Sequence, residues 1–247
     1  MSLERERDLL TSRALRRRLD PMNPDAGILL DAASIIRQGG VLAYPTETFY
    51  GLAADPFNAA AVERLFRLKG RSSQRALILL VARAEQALEV AQVAGVTRIW
   101  LEKLSAAFWP GALTLALPAR PAVRGPALGG GSTVAVRMSP HPVAWQLCRT
   151  AGRPITSTSA NPSGDAAASS ADQIDPALAA GLDLILDAGP TPGGLASTLL
   201  DITGARPVIL RQGAITPERI AAVLGVRPMV CVQGAEHPDA GGSAQLA

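Results

Sequence analysis

Residues 39–51 read Gly-Gly-Val-Leu-Ala-Tyr-Pro-Thr-Glu-Thr-Phe-Tyr-Gly, and the fold turns on how they are read. Two glycines end a helix, Val41 to Tyr44 make a short buried strand, and Pro45 stops it. Thr46, Glu47 and Thr48 then stand at the strand's exit, the place where an open α/β sheet keeps its ligand. A polar turn between two strands accounts for the same residues, and from this stretch alone both readings stand.

Moving outward towards the N-terminus, Ile28, Leu29, Ala32, Ala33, Ile35 and Ile36 recur at helical spacing, with Asn23 as N-cap and Pro24 at the first helical position. Residues 1–20 read as a charged, partly helical extension ending in Arg16-Arg17-Arg18. It is either an RNA-touching arm or a solvated terminus. Towards the C-terminus, Tyr50–Pro56 continues the first strand in antiparallel fashion. Asn58 caps a helix whose apolar stripe is Val62, Leu65, Phe66 and Leu68. That helix delivers Lys69-Gly70-Arg71, followed by a hydroxyl loop through Ser73 and the strand 76–82. Cations there complement the helix dipole, but two of them flanking a glycine also suit a polyphosphate.

An amphipathic helix over 97–109 turns Trp100, Leu101, Leu104 and Phe108 inward, and the strand Leu113–Leu117 follows. After a Pro/Gly-rich loop, Thr133 opens a strand that Arg137 closes. His141-Pro142 begins a helix ending near Gly152, with His141 as a capping or packing residue. The strand from Pro154 runs into Ser157-Thr158-Ser159-Ala160-Asn161, an elaborate turn or an anion-binding loop. Three further strands follow, with Ser197 and Arg211 at strand ends, then a helix capped by Thr216 with Pro217 at its first position. Residues 227–247 read as a disordered tail. One domain over 21–226 is the expectation.

Composition narrows the chemistry. With 48% hydrophobic and 18% charged residues the chain reads as globular, and no apolar run is long enough to span a bilayer. The charged start, MSLERERDLL, lacks the apolar core of a secretory signal, and its acidic residues argue against a transit peptide, so a cytoplasmic location is expected. Two cysteines and two histidines, all far apart, exclude a Cys/His zinc site and disfavour a Ser-His-Asp triad. Of the 24 basic residues only Lys69 and Lys103 are lysine, which singles those two positions out. The net charge of +3 leans mildly towards anionic partners. Neither GxxxxGK[ST] nor GxGxxG occurs, so P-loop and Rossmann geometry are unavailable. Chemistry must therefore run on hydroxyls, carboxylates, cations and backbone amides. Thr46–Thr48, Lys69 with Arg71, Thr133 with Arg137, Ser157–Asn161, and Ser197 with Arg211 together suit binding and polarising a nucleoside triphosphate.

Six segments, GGVLAYPTETFYGLAADPFN, the KGR before RALILLV, FWPGALTLAL, STVAVRMSPHP, STSANPSG and STLLDITGARPVILRQGAI, resemble the YrdC family in content and order over about residues 22–225. The resemblance is to the family's stand-alone form, because longer members append a C-terminal domain for which this chain has no room. It implies an α/β (α+β) fold, a single-domain twisted mixed β-sheet with flanking helices around a basic cavity. It also implies a nucleotidyl transfer in which L-threonine, bicarbonate and ATP, with Mg²⁺ carried on the ATP, give L-threonylcarbamoyladenylate and pyrophosphate. The product serves N6-threonylcarbamoyladenosine formation at tRNA position 37 through a partner transferase. By the same resemblance Lys69 and Arg71 are catalytic and hold ATP with Ser73, Thr133, Ser159, Asn161 and Arg211. Thr46, Arg137, Ser157 and Ser197 hold threonine, and no metal is bound by protein side chains.

The sequence departs from the family pattern at Phe49, Ser72, Arg75-Ala76 and Gln212. Ser72 and Ala76 bear on the rigidity of the KGR loop, hence on affinity. A non-enzymatic RNA-binding module is the rival reading, weakened by an aromatic content of 4%. A hydrogenase-maturation carbamoyltransferase module is a second rival, and those modules sit in much longer chains.

Overall fold

The computed structural model describes residues 14–70, 75–123, 126–231 and 245–246. Its elements in chain order are β1 (Leu15–Arg18), α1 (Ala26–Arg37), β2 (Leu42–Pro45), β3 (Tyr50–Ala53), α2 (Ala59–Leu68), β4 (Arg75–Ala76) and β5 (Ile78–Leu80). Next come α3 (Gly95–Phe108), β6 (Leu113–Pro118), β7 (Thr133–Arg137), α4 (Pro142–Ala151), β8 (Ile155–Ser159) and β9 (Leu184–Asp187). The last are β10 (Thr198–Asp201), β11 (Val208–Arg211), α5 (Pro217–Leu224), β12 (Met229–Val230) and β13 (Gln245–Leu246). Short helical turns lie at Ala87–Val90 and Pro176–Ala180, and 3-10 turns at Ala84–Gln86, Pro121–Val123, Pro126–Leu128 and Ala171–Gln173.

Eleven strands form one mixed sheet in the order β1-β9-β2-β3-β8-β5-β7-β6-β10-β11-β12, and β4 pairs separately with β13. β2 and β3 are antiparallel, as the opening stretch led one to expect, with Tyr44 opposite Gly51. β2 ends at Pro45, where the sequence placed its stop. Among the described residues no helix is long and apolar enough to cross a membrane.

Three apolar layers hold the helices to the sheet. Helix α1 buries Leu29, Ala32, Ala33 and Ile36 beside α4's Val143, Ala144 and Leu147, over Leu42 and Tyr44 of β2 and Leu184 and Leu186 of β9. Helix α2 packs Val62, Leu65 and Phe66 with Ala43, Leu52 and Ile185, which alternate with that first set along the same strands. Helices α3 and α5 cover the far half, through Trp100, Leu104, Phe108 and Ile220.

In that far half the period of two decides where a ligand can enter. Leu113, Leu115 and Leu117 of β6 and Val134 and Val136 of β7 face the helices. The alternate residues Ala116 and Ala135 belong to a small cluster with Leu199, Ile78 and Leu210. Ala116 and Ala135 are themselves fully buried, and Ile78 of that cluster lines the cavity described below.

Three expectations change. Leu15–Arg18 is not helical: it is an edge strand parallel to β9, with Arg16 opposite Ile185 and its guanidinium on Asp172 and Asp187 at 2.6 and 2.8 Å. Those two carboxylates offset a charge that would otherwise disfavour an arginine run in a strand. The cap of α1 is Asp25, whose carboxylate accepts from Ile28 N at 2.9 Å, two residues after the expected Asn23. The sheet also runs past residue 226, because β12 pairs in parallel with β11. The proposed arm over residues 1–13 and the tail beyond Cys231, apart from β13, lie outside the described residues.

Candidate active site

Strand polarity gathers the chemistry at one edge of the sheet. β7 ends at Arg137; β10 runs antiparallel to it by way of β6, so Ser197, just before β10, lies at the same edge. β11 is antiparallel to β10 and brings Arg211, at its end, back opposite Leu199. β8 crosses beside β5 with Ser157 opposite Ile78, and β2 contributes Thr46 at its exit. Thr46, Arg137, Ser157, Ser159, Ser197 and Arg211 thus line one cavity of about 170 Å³. Thr48, Phe49, Tyr50 and Gly51 form a further wall. That volume lies below the roughly 300–1,000 Å³ of a drug-sized ligand site, so it suits a small polar molecule.

The cavity's hydroxyls and cations are held in place. Thr46 Oγ1 donates to Phe49 O at 2.7 Å and accepts from Thr48 N at 3.2 Å, which closes the loop after β2. Ser197 Oγ shares a hydrogen with Thr114 Oγ1 at 2.8 Å and accepts from Arg211 Nη2 at 3.2 Å. Arg211 also donates through Nε and Nη2 to Ser197 O, at 3.2 and 3.1 Å. Burial pulls the Arg211 pKa down, and the nearby Arg137 charge adds to the effect. Two guanidinium groups held this close favour an anion between them.

Arg137 is 6% exposed and pairs through Nη1 with Glu47 Oε1. The other Glu47 oxygen accepts from Ser139 Oγ at 2.5 Å. Arg137 Nε is buried with no hydrogen-bond partner among the described residues. The sequence reading assigned Glu47 no role. Its partner lies 90 residues away, and local pattern does not reach that far.

Lys69 is not the exposed helix-end charge that one reading of the sequence allowed. It is 3% exposed, and its Nζ donates to Ser159 O at 2.5 Å and Asn161 O at 2.6 Å. The ammonium therefore fastens the loop after β8 to the end of α2. Asn161 Nδ2 donates to Pro162 O and Asp165 O at 2.9 and 2.6 Å, and its Oδ1 is buried without a partner among the described residues. Thr133 stands apart from these groups. It opens β7 four residues before Arg137, roughly 13 Å away at about 3.3 Å per residue, and it does not line the cavity. Arg71 and Ser73 lie outside the described residues.

Sequence reasoning missed Thr114 and Ser139, whose roles depend on the pairing of β6 with β10 and on the turn after β7. His141 behaves as expected: its Nδ1 caps α4 by accepting from Val143 N at 3.2 Å. The Cys148 thiol is buried and pushed up to about 12, out of range for a thiolate nucleophile. Among the described residues no group of three His, Cys, Asp or Glu side chains is placed to hold a metal. Two larger hollows, about 430 and 410 Å³, lie beside α3 and beside β1. The first is floored by Leu88, Leu101 and Trp109; in the second, Arg16 is already paired with Asp172 and Asp187. Neither gathers hydroxyls and cations as the first cavity does.

A family model for Sua5/YciO/YrdC, described as telomere recombination, matches residues 34–213. A Bacillus subtilis (strain 168) protein named threonylcarbamoyl-AMP synthase is 40% identical over 210 residues, covering 83% of this chain and 59% of its own length. A Stenotrophomonas maltophilia (strain K279a) protein of the same name is 42% identical over 175 residues, covering 68% of this chain and 90% of its own. The crystal structure of P. abyssi Sua5 complexed with L-threonine superposes with a TM-score of 0.83 at 35% identity. It covers 95% of this chain and 66% of that one. The chain thus spans about three-fifths of the length of the longer relatives.

Proposed function

Because the chain belongs to the Sua5/YciO/YrdC family, we propose that it condenses L-threonine, bicarbonate and ATP to L-threonylcarbamoyladenylate and pyrophosphate. The observation that carries the reading is the convergence of Arg137, Arg211 and the hydroxyls of Thr46, Ser157 and Ser197 on one small cavity. Relatives bearing the synthase name and the threonine-bound P. abyssi structure support it.

In this reading Arg137 receives the threonine carboxylate, for which a guanidinium offers two parallel donors. Thr46, Ser157 and Ser197 surround the rest of the amino acid. ATP extends beyond the small cavity, over Ser159, Asn161 and Arg211, with Lys69, Arg71, Ser73 and Thr133 as its further contacts. The threonine ammonium first gives up a proton, and the free amine then attacks bicarbonate with loss of water, leaving an N-carboxylate. A carboxylate oxygen then attacks the α-phosphorus, and the bond to the β-phosphate oxygen breaks to release pyrophosphate. Positioning and charge neutralisation carry such a transfer, so a strong protein base is not required. Mg²⁺ carried with ATP would supply charge neutralisation on the triphosphate. The enzyme works in the cytoplasm and passes its product to a transferase acting on tRNA position 37.

The test is pyrophosphate release by the purified chain with each substrate omitted in turn. Release that needs threonine, bicarbonate and ATP together, with a labelled adenylate as co-product, is the expected outcome. RNA binding without turnover would sink the proposal.

A further inference from the structure

Glu47 takes no part in the reaction as assigned, yet it is fixed against the residue assigned to the threonine carboxylate. Its side chain is 18% exposed, it does not line the cavity, and its two oxygens hold Arg137 Nη1 and Ser139 Oγ. Ser139 is itself 2% exposed, and its Oγ also accepts from His141 N at 3.2 Å, at the head of α4. Glu47 is thus anchored on both sides. A carboxylate held that way is a fixture, not a stand-in waiting to be displaced.

We propose that Glu47 is the positioning residue that makes Arg137 selective for a single carboxylate. The assignment rests on the function proposed above. Two effects follow from the geometry. With Nη1 committed to Glu47 the guanidinium cannot swing, so the donor set left for a ligand keeps one orientation. The second effect is on charge. Arg137 and Arg211 line the same cavity and repel each other. Glu47 offsets the charge of Arg137, leaving a directional fork that favours a monoanionic carboxylate over a phosphate or pyrophosphate.

The experiment compares wild type with Glu47→Gln and Ser139→Ala, measuring KM for threonine, KM for ATP, kcat, competitive inhibition by inorganic pyrophosphate, and melting temperature. Glu47→Gln keeps the size of the side chain and removes its charge. Ser139→Ala removes only the second anchor and serves as the independent reading if the first variant fails to fold. Both variants are expected to raise KM for threonine, by roughly tenfold or more for Glu47→Gln and less for Ser139→Ala, with KM for ATP and kcat within about threefold. Pyrophosphate should compete with threonine more strongly in Glu47→Gln than in wild type. Unchanged threonine KM, a lowered threonine KM, or equal shifts for both substrates would overturn the inference. A wild-type chain with no threonine-dependent turnover would instead overturn the function on which it rests.

Discussion

Lys69 holds a position that neither of the two readings of the sequence described. As the last residue before Gly70 it was either a dipole-complementing charge or a phosphate ligand, and its rarity in an arginine-rich chain singled it out. Its Nζ instead lies buried on Ser159 O and Asn161 O, so Lys69→Ala would leave two carbonyls short of a donor. Urea unfolding should show a loss of about 1–3 kcal/mol. Adenylate formation should fall further than that loss of stability explains. Wild-type turnover with an intact midpoint would remove Lys69 from the site. The legible part here was residue type: a lone lysine, hydroxyls after strands, an arginine closing a strand. The illegible part was pairing at a distance, because the partners Glu47 and Arg137 are separated by 90 positions. For the same reason Thr133, which shares a strand with Arg137, looked like a neighbour of the other groups until the strand's length separated them.

The elements meet the site at glycine and cap positions whose chemistry is local. Gly213 follows β11, and a Cβ there would lie 2.2 Å from Ala196 O and 2.6 Å from Thr198 N. Both are backbone atoms next to Ser197, so neither yields without moving the cavity edge. Gly213→Ala should cost about 1–3 kcal/mol in thermal unfolding and lower turnover with it; an unchanged melting temperature would mean the turn relaxes freely. The cap of α4 gives a pH-dependent test. Burial lowers the His141 pKa below its ordinary 6.5, with Glu47 opposing more weakly. As pH falls through 6.5 the unfolded chain gains a proton that the folded chain resists, so stability drops below that point. His141→Asn keeps a capping side chain and should flatten that part of the acid limb, while neutral stability stays within about 1 kcal/mol. A limb of unchanged slope would clear His141. Caps at Asn58 and Thr216 were readable because each obeys a local rule. Asp25 was misplaced by two residues because Asn23-Pro24 satisfies the same rule. β1 was missed because three consecutive arginines look like solvent-facing helix until Asp172 and Asp187 are known to stand opposite.

At the scale of the molecule, one sheet is packed differently along its length. Around β2 and β9 helices cover both faces, whereas across β6 and β7 leucines and valines meet α3 and α5 while Ala116 and Ala135 on the other face sit with Leu199 and Ile78. The cavity forms on the face that carries Ile78, where the ends of β7 and β11 meet the start of β10. Most of the longer strands were legible from their apolar runs and turn residues, and the mixed sheet only through the family resemblance; the order of eleven strands was not, since it depends on non-local pairing. The central claim is that this cavity holds the threonine carboxylate on Arg137. Arg137→Lys tests it best, because lysine keeps a charge for Glu47 and loses the planar fork. Calorimetric titration of L-threonine into wild type and variant, with melting temperatures compared, is the measurement. Wild type should bind, and the variant should bind about tenfold or more weakly at similar thermal stability, in line with about 1.5–3 kcal/mol for hydrogen bonds to a charged group. Equal threonine affinity in the two proteins would contradict the claim.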